Sequence, residues 1–233
     1  MNILVVAGEL SGDEYGAAVV EALREKKETK TTIYAIGGTA LSKVADHFLM
    51  SITHLSNVGI FAPFQKWGKL RSFYKTLRKF VGAQSIDKVI LIDFQFHNVK
   101  VAELFQKYHI PITTVVTPNF WLYKDKRNTQ KLIAYSKDIV TIFKPEYEWY
   151  TQFTNKAHYF GHPLMTLLEK KETETPLQSE ESNNSPIISF FPGSRQQELN
   201  LYLEEMVKAM PSLIDSGYIL YIAVASERYE SRI

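Results

Sequence analysis

Ile3-Leu4-Val5-Val6-Ala7 runs without a break into Gly8-Glu9-Leu10-Ser11-Gly12-Asp13-Glu14-Tyr15-Gly16. A continuous apolar run, rather than an alternating one, reads as a strand buried on both faces, which is the habit of parallel sheets. Gly8 and Gly12 permit a tight turn that can come close to a ligand. Ser11 and Glu14 have the spacing of a capping box, so a helix is expected at once. Strand, glycine turn and helix together open a βαβ unit.

The same design recurs along the chain. Continuously apolar runs at Thr32–Ile36, Lys88–Asp93, Ile112–Val116, Ile139–Phe143, Ile187–Phe191 and Tyr218–Ala225 predict further strands. Amphipathic stretches at Glu14–Lys26, Phe64–Phe80, Lys100–Tyr108, Asn128–Ser136 and Gln196–Met210 predict helices between them. The expected fold is α/β, a doubly wound parallel sheet with right-handed crossovers. Residues 169–186 read EKKETETPLQSEESNNSP, without an aromatic or a β-branched run. That polar stretch is expected to be a linker rather than a long surface loop. It separates a first domain, 1–168, from residues 187–233, which open with another strand–turn–helix and are short for a domain of usual size.

Composition narrows the function. The chain has 233 residues, 45% of them hydrophobic, and its 27 Lys+Arg against 25 Asp+Glu leave a formal charge of only +2. Such a balance argues against a nucleic-acid partner. There is no cysteine, so disulfides, zinc–thiolate sites and thiol nucleophiles are excluded. The N-terminal run is too short for a signal-peptide core, and no segment approaches the roughly 20 apolar residues of a membrane span. Contact with a membrane is expected from its surface only.

Five motifs stand where α/β proteins bind ligands, beyond the carboxyl ends of strands. The Gly8–Gly16 turn leads into a helix whose free N–H groups suit an anionic or polyhydroxyl ligand. Asp93, in Ile92-Asp93-Phe94-Gln95-Phe96-His97-Asn98, has equal claims as a general base and as a helix cap. Thr117-Pro118-Asn119-Phe120-Trp121-Leu122-Tyr123-Lys124, with Arg127 close behind, mixes aromatic platforms with donors, as sugars and phosphates require, or else caps the core. Gly161-His162-Pro163-Leu164 offers a lone histidine in a loop. Pro192-Gly193-Ser194-Arg195 opens the second domain, where a helix start and a guanidinium would clamp a diphosphate, unless it is simply a capped helix with a solvent-facing arginine. Apart from these, FAPFQKWGKLRSFYKTLRKF at residues 61–80 carries six Lys/Arg and no acidic residue. Its apolar residues at helical spacing fit packing on the sheet, and its charge with Trp and Phe fits a membrane interface.

In this order the motifs resemble those of the lipid-A-disaccharide synthase family. Gly8–Gly16 matches its G-E-x-S-G-D-x-x-G, Gly37-Gly38 its paired glycines, and Val58-Gly59 a Val-Gly segment. Asp93 and Asn98 match I-D-x-P-D-F-N, and Pro118 and Trp121 match S-P-S-x-W-A-W with Arg127 following. Gly161–Leu164 and Pro192–Arg195 match G-H-P-L and P-G-S-R. The likeness runs from residue 1 to about 200.

The resemblance implies a GT-B glycosyltransferase with Rossmann-like domains, needing no metal and no cofactor. It would join UDP-2,3-diacylglucosamine to 2,3-diacylglucosamine 1-phosphate and release UDP. On that pattern Asp93 is the base, and Gly8, Glu9, Ser11, Gly12, Asp13, Asn98, Pro118, Trp121, Arg127, His162, Ser194 and Arg195 bind substrate. The turn would hold the substrate phosphates, and Arg195 the donor diphosphate. The expected location is cytoplasmic, peripheral on the inner membrane through residues 61–80. Gln95, Phe96, Thr117, Asn119 and Tyr123 depart from the family pattern, around the acceptor side. Much of the family's second domain has no counterpart here, which implies a fragment, a partner chain that completes it, or a loss of catalysis. The alternative is a non-catalytic or partner-dependent membrane-surface module without a complete donor site.

Overall fold

The computed structural model describes residues 1–26, 30–52, 64–94, 97–174, 185–193 and 196–224. The chain divides into two compact units, Met1–Thr173 and Glu174–Ile233. The first contains β1 (Asn2–Ala7), α1 (Leu10–Glu25), β2 (Thr32–Gly37), α2 (Thr39–Val44), β3 (His47–Ser51), α3 (Phe64–Ala83) and β4 (Lys88–Ile92). It continues with α4 (Asn98–Gln106), β5 (Ile112–Val115), α5 (Lys126–Tyr135), β6 (Asp138–Thr141), α6 (Lys144–Thr151), β7 (Ala157–Tyr159) and α7 (Pro163–Glu174). The second holds β8 (Ile187–Phe190), α8 (Gln196–Asp215) and β9 (Ile219–Ile222). There β8 and β9 pair in parallel, Ile187 opposite Ile219.

Strands β1 to β7 form one parallel sheet in the order β3-β2-β1-β4-β5-β6-β7. The order reverses between β1 and β4, and a ligand crevice is expected at that switch point. The apolar runs explain why the sheet is covered on both faces. Leu4 and Val6 enter a core with Phe73 and Leu77 of α3 and Phe105 of α4. Ile3, Val5 and Ala7 enter another with Tyr15 and Val20 of α1 and Leu41 of α2. Ile3 to Ala7 are each at most 1% exposed, so over these five residues neither face of the strand is polar.

The structure corrects several sequence expectations. β3 and β7 are edge strands that the apolar pattern does not reveal, with His47, Phe48, His158 and Tyr159 exposed. α2, α6 and α7 are also unforeseen. α7 carries the chain to Glu174, so the polar stretch begins as helix rather than as linker. Pro163 opens α7, where its missing N–H costs nothing. α1 begins at Leu10 with Glu9 as N-cap, so Ser11 lies inside the first turn and the expected Ser11–Glu14 capping box is absent.

His97, beside the N-terminus of α4, is buried, and its Nδ1 lies 3.1 Å from the Tyr74 hydroxyl. Burial, aided by Lys100, lowers its pKa to about 4. The unfolded chain therefore binds a proton between about pH 6.5 and 4 that the native chain refuses. The stability contributed by His97 is complete above pH 6.5 and should fall as the pH drops towards 4. Denaturant titrations across that range, wild type against His97→Gln, should show the steeper acid loss in the wild type.

Candidate active site

At the switch point a cleft of about 200 Å³ is lined by Ser11, Tyr15, Asp93, Val116, Thr117, Asn119, Trp121, Ile142, Phe143 and Glu146. These residues belong to α1, to the segments leaving the carboxyl ends of β4, β5 and β6, and, for Glu146, to α6. Asp93 is 7% exposed, and its Oδ2 accepts a hydrogen bond from Ser11 Oγ at 2.8 Å. Its amide donates to the Val115 carbonyl at 3.1 Å, which ties the end of β4 to β5. Asp93 has φ 39° and Val116 φ 56°. Left-handed backbone at a β-branched residue costs roughly 1–3 kcal/mol, and such strain gathers where a site needs an exact side-chain direction.

The glycines of the first turn serve packing. A Cβ on Gly8 would run into the Phe94 side chain, and one on Gly12 would lie 2.9 Å from Asp93 Cβ and 3.2 Å from the Ile92 carbonyl. The close approach presses the start of α1 onto the end of β4 and brings Ser11 within reach of Asp93. Asp13 is turned to another task. Its Oδ1 accepts from the amides of Gly38 (2.6 Å) and Leu41 (3.2 Å), and its Oδ2 from that of Ala40 (2.8 Å). It is a buried cap for α2, supplied from α1.

Among its described lining residues the cleft has two carboxylates, Asp93 and Glu146, and no cation. The phenol of Tyr15 is pushed above its usual pKa by burial first, then by Asp93 and Glu14. The lining sets these carboxyl groups beside the aromatic rings of Tyr15, Trp121 and Phe143.

Of the residues expected from sequence, Ser11, Asp93 and Trp121 line the cleft together. His162 stands behind that lining, its ring 6.0 Å from Tyr15 and 5.3 Å from Phe143. Gly8 and Gly12 pack against Phe94 and Asp93, Asp13 caps α2, and Glu9 stands at the N-cap position of α1 without a side-chain cap bond. Asn98 and Pro118 are buried, Arg127 is exposed on α5, and none of them is among the lining residues. Ser194 and Arg195 lie outside the described residues. Tyr15, Phe143 and Glu146 were missed as site residues. A strand end followed three residues on by Glu, at Phe143-Lys144-Pro145-Glu146, is the signal that could have found the last of them.

A switch-point cleft on a parallel sheet, followed by a second parallel βαβ unit, defines a Rossmann-like α/β protein of the GT-B type. The family model described as lipid-A-disaccharide synthetase matches residues 3–232, and the chain belongs to that family. It is 32% identical over 213 residues to lipid-A-disaccharide synthase 2 of Legionella pneumophila (strain Paris), covering 88% of this chain and 54% of that one. It is 27% identical over 228 residues to the lipid-A-disaccharide synthase of Koribacter versatilis (strain Ellin345), covering 96% of this chain and 59% of that one. The chain thus spans little more than half the length of these relatives. UDP-N-acetylglucosamine 2-epimerase from Rickettsia bellii shares the fold, with a TM-score of 0.59 at 13% identity, over 100% of this chain and 64% of that one.

Proposed function

We propose that this chain supplies the acceptor side, and the beginning of the donor side, of a glycosyltransferase that makes the β-1,6 lipid A disaccharide. The observation that carries this reading is the placement of Asp93 at the switch point, beside Ser11 and an aromatic wall, in a chain of this family. In the reaction the 6-hydroxyl of 2,3-diacylglucosamine 1-phosphate attacks C1 of UDP-2,3-diacylglucosamine. The C1–O bond to the diphosphate breaks, UDP leaves with the electron pair, and Asp93 accepts the hydroxyl proton. The acceptor sugar occupies the acidic cleft, and its phosphate lies outside it. Residues 1–168 bind the acceptor, and 187–233 begin the donor domain, with Ser194 and Arg195 on the UDP diphosphate. Another chain completes the donor site if this one does not continue. Calorimetry on the full chain with detergent-solubilised 2,3-diacylglucosamine 1-phosphate should show saturable binding, weakened in Trp121→Ala. A chain that ignores this sugar phosphate overturns the reading.

The chain works at the cytoplasmic face of the inner membrane. No helix among the described residues is long and apolar enough to cross a membrane. The supporting feature is α3, where Phe73, Leu77 and Val81 are buried while Arg71, Lys75, Arg78 and Lys79 are exposed. Phe80 packs 5.1 Å from the Tyr34 ring and so belongs to the fold rather than to a lipid contact. Each exposed cation near an anionic surface contributes on the order of 1 kcal/mol. Co-sedimentation with phosphatidylglycerol vesicles should fall with added salt and fall again in Trp67→Ser. Binding indifferent to both would leave α3 as a packing helix alone.

A further inference from the structure

Glu146 is 1% exposed, yet it lines the cleft. Its Oε1 accepts from the amide of Thr117 at 3.0 Å and from the Thr117 hydroxyl. Its Oε2 accepts from the amides of Ile142 at 2.9 Å and Phe143 at 3.2 Å. Three of these partners are amides, which can only donate, and the fourth is a hydroxyl, while burial pushes the Glu146 carboxyl above its ordinary pKa. Two of the donors belong to the segment leaving β5, and two to the segment leaving β6. The first segment follows the left-handed Val116 and carries Asn119 and Trp121. The second carries Phe143, whose ring lies 6.3 Å from that of Trp121 and 5.3 Å from that of His162.

We propose that Glu146 is a positioning residue of the sugar site, holding the ends of β5 and β6 together so that Thr117, Trp121 and Phe143 form one wall beside Asp93. This rests on the reading of the cleft as the acceptor site. The carboxylate itself touches no reacting atom. It acts through Thr117, and through Val115, whose carbonyl receives the Asp93 amide. A buried carboxylate on a short helix is a costly way to tie two loops unless their relative placement matters. Placement to within a fraction of an ångström is what a carbohydrate wall requires.

Glu146→Gln keeps the volume but turns one NH2 towards donors. It should weaken binding of detergent-solubilised 2,3-diacylglucosamine 1-phosphate by tenfold or more in calorimetry on the full chain. Thr117→Val should weaken it to a similar degree, Thr117→Ser should restore it, and the double variant should bind no worse than the weaker single one. Near-UV circular dichroism identifies the variants that remain folded. If Glu146→Gln does not fold, the Thr117 pair carries the comparison. Amide exchange at Thr117, Ile142 and Phe143 should quicken in Glu146→Gln while that of β1 and β4 stays slow. Native affinity in a folded Thr117→Val, or unchanged exchange at the three amides, overturns the role of Glu146. Failure of the wild type to bind this probe, with the exchange pattern as expected, overturns the sugar-site reading and leaves Glu146 a tie between two loops only.

Discussion

Asp93→Asn should leave the melting transition in place and lower glycosyl transfer by roughly 10²–10⁴-fold, the usual cost of losing a general base. The fold should tolerate the change because an asparagine oxygen can still accept the Ser11 hydroxyl, and the Asp93 amide keeps its bond to Val115. What disappears is the oxygen able to take a proton. The assay needs whichever chain provides the rest of the donor site, with labelled UDP-diacylglucosamine and turnover followed as UDP release. Full activity in Asp93→Asn would remove this carboxylate from the chemistry. Loss of activity together with loss of folding would instead mark it as the tie between β4 and the first turn of α1.

Gly8→Ala should be among the most damaging small substitutions in the chain, costing about 3 kcal/mol, at the upper end for overpacking. The new methyl would meet the Phe94 side chain, including its Cβ at 2.7 Å. Phe94 is 1% exposed and meets Phe73 edge-to-face at 5.8 Å between ring centroids, so it has nowhere to withdraw without opening the core behind the sheet. The backbone would have to shift at the residue next to Asp93. Thermal unfolding of Gly8→Ala should show a large drop in midpoint, and Gly8→Ala paired with Phe94→Leu should recover part of it. An unaffected midpoint would mean that the turn relaxes more easily than its contacts imply.

How much could be read in advance depended on where each element sits. β1, β2, β4, β5 and β6 are interior strands, and β1 and β4 carry long apolar runs buried on both faces, while β5 (ITTV) and β6 (DIVT) were legible through their β-branched residues. β3 and β7 border the sheet and lack that pressure: Ala157-His158-Tyr159 has one buried residue of three. α2 is six residues long and takes its cap from Asp13 of another helix, an arrangement that no local pattern encodes. The same holds at the cleft. Asp93 and Ser11 follow strands that were legible, so the switch-point rule found them. Tyr15 lay within the quoted Gly8–Gly16 turn, but nothing in the local pattern set it apart as a lining residue. Glu146 sits on a helix hidden by aromatic residues, and a lone glutamate there reads as surface until the strand ends it serves are folded around it.

The bonds from Asp13 to Gly38, Ala40 and Leu41 bear on how the molecule opens in solution. Fraying of α2 alone would strand a buried carboxylate without donors, and fraying of α1 would uncap α2 at the same moment. The first two βα units are thereby fused into a single cooperative block, and native-state exchange should see them released together. Because Ser11 belongs to that block, its partnership with Asp93 is protected against small local excursions and is lost only when a quarter of the first unit lets go at once.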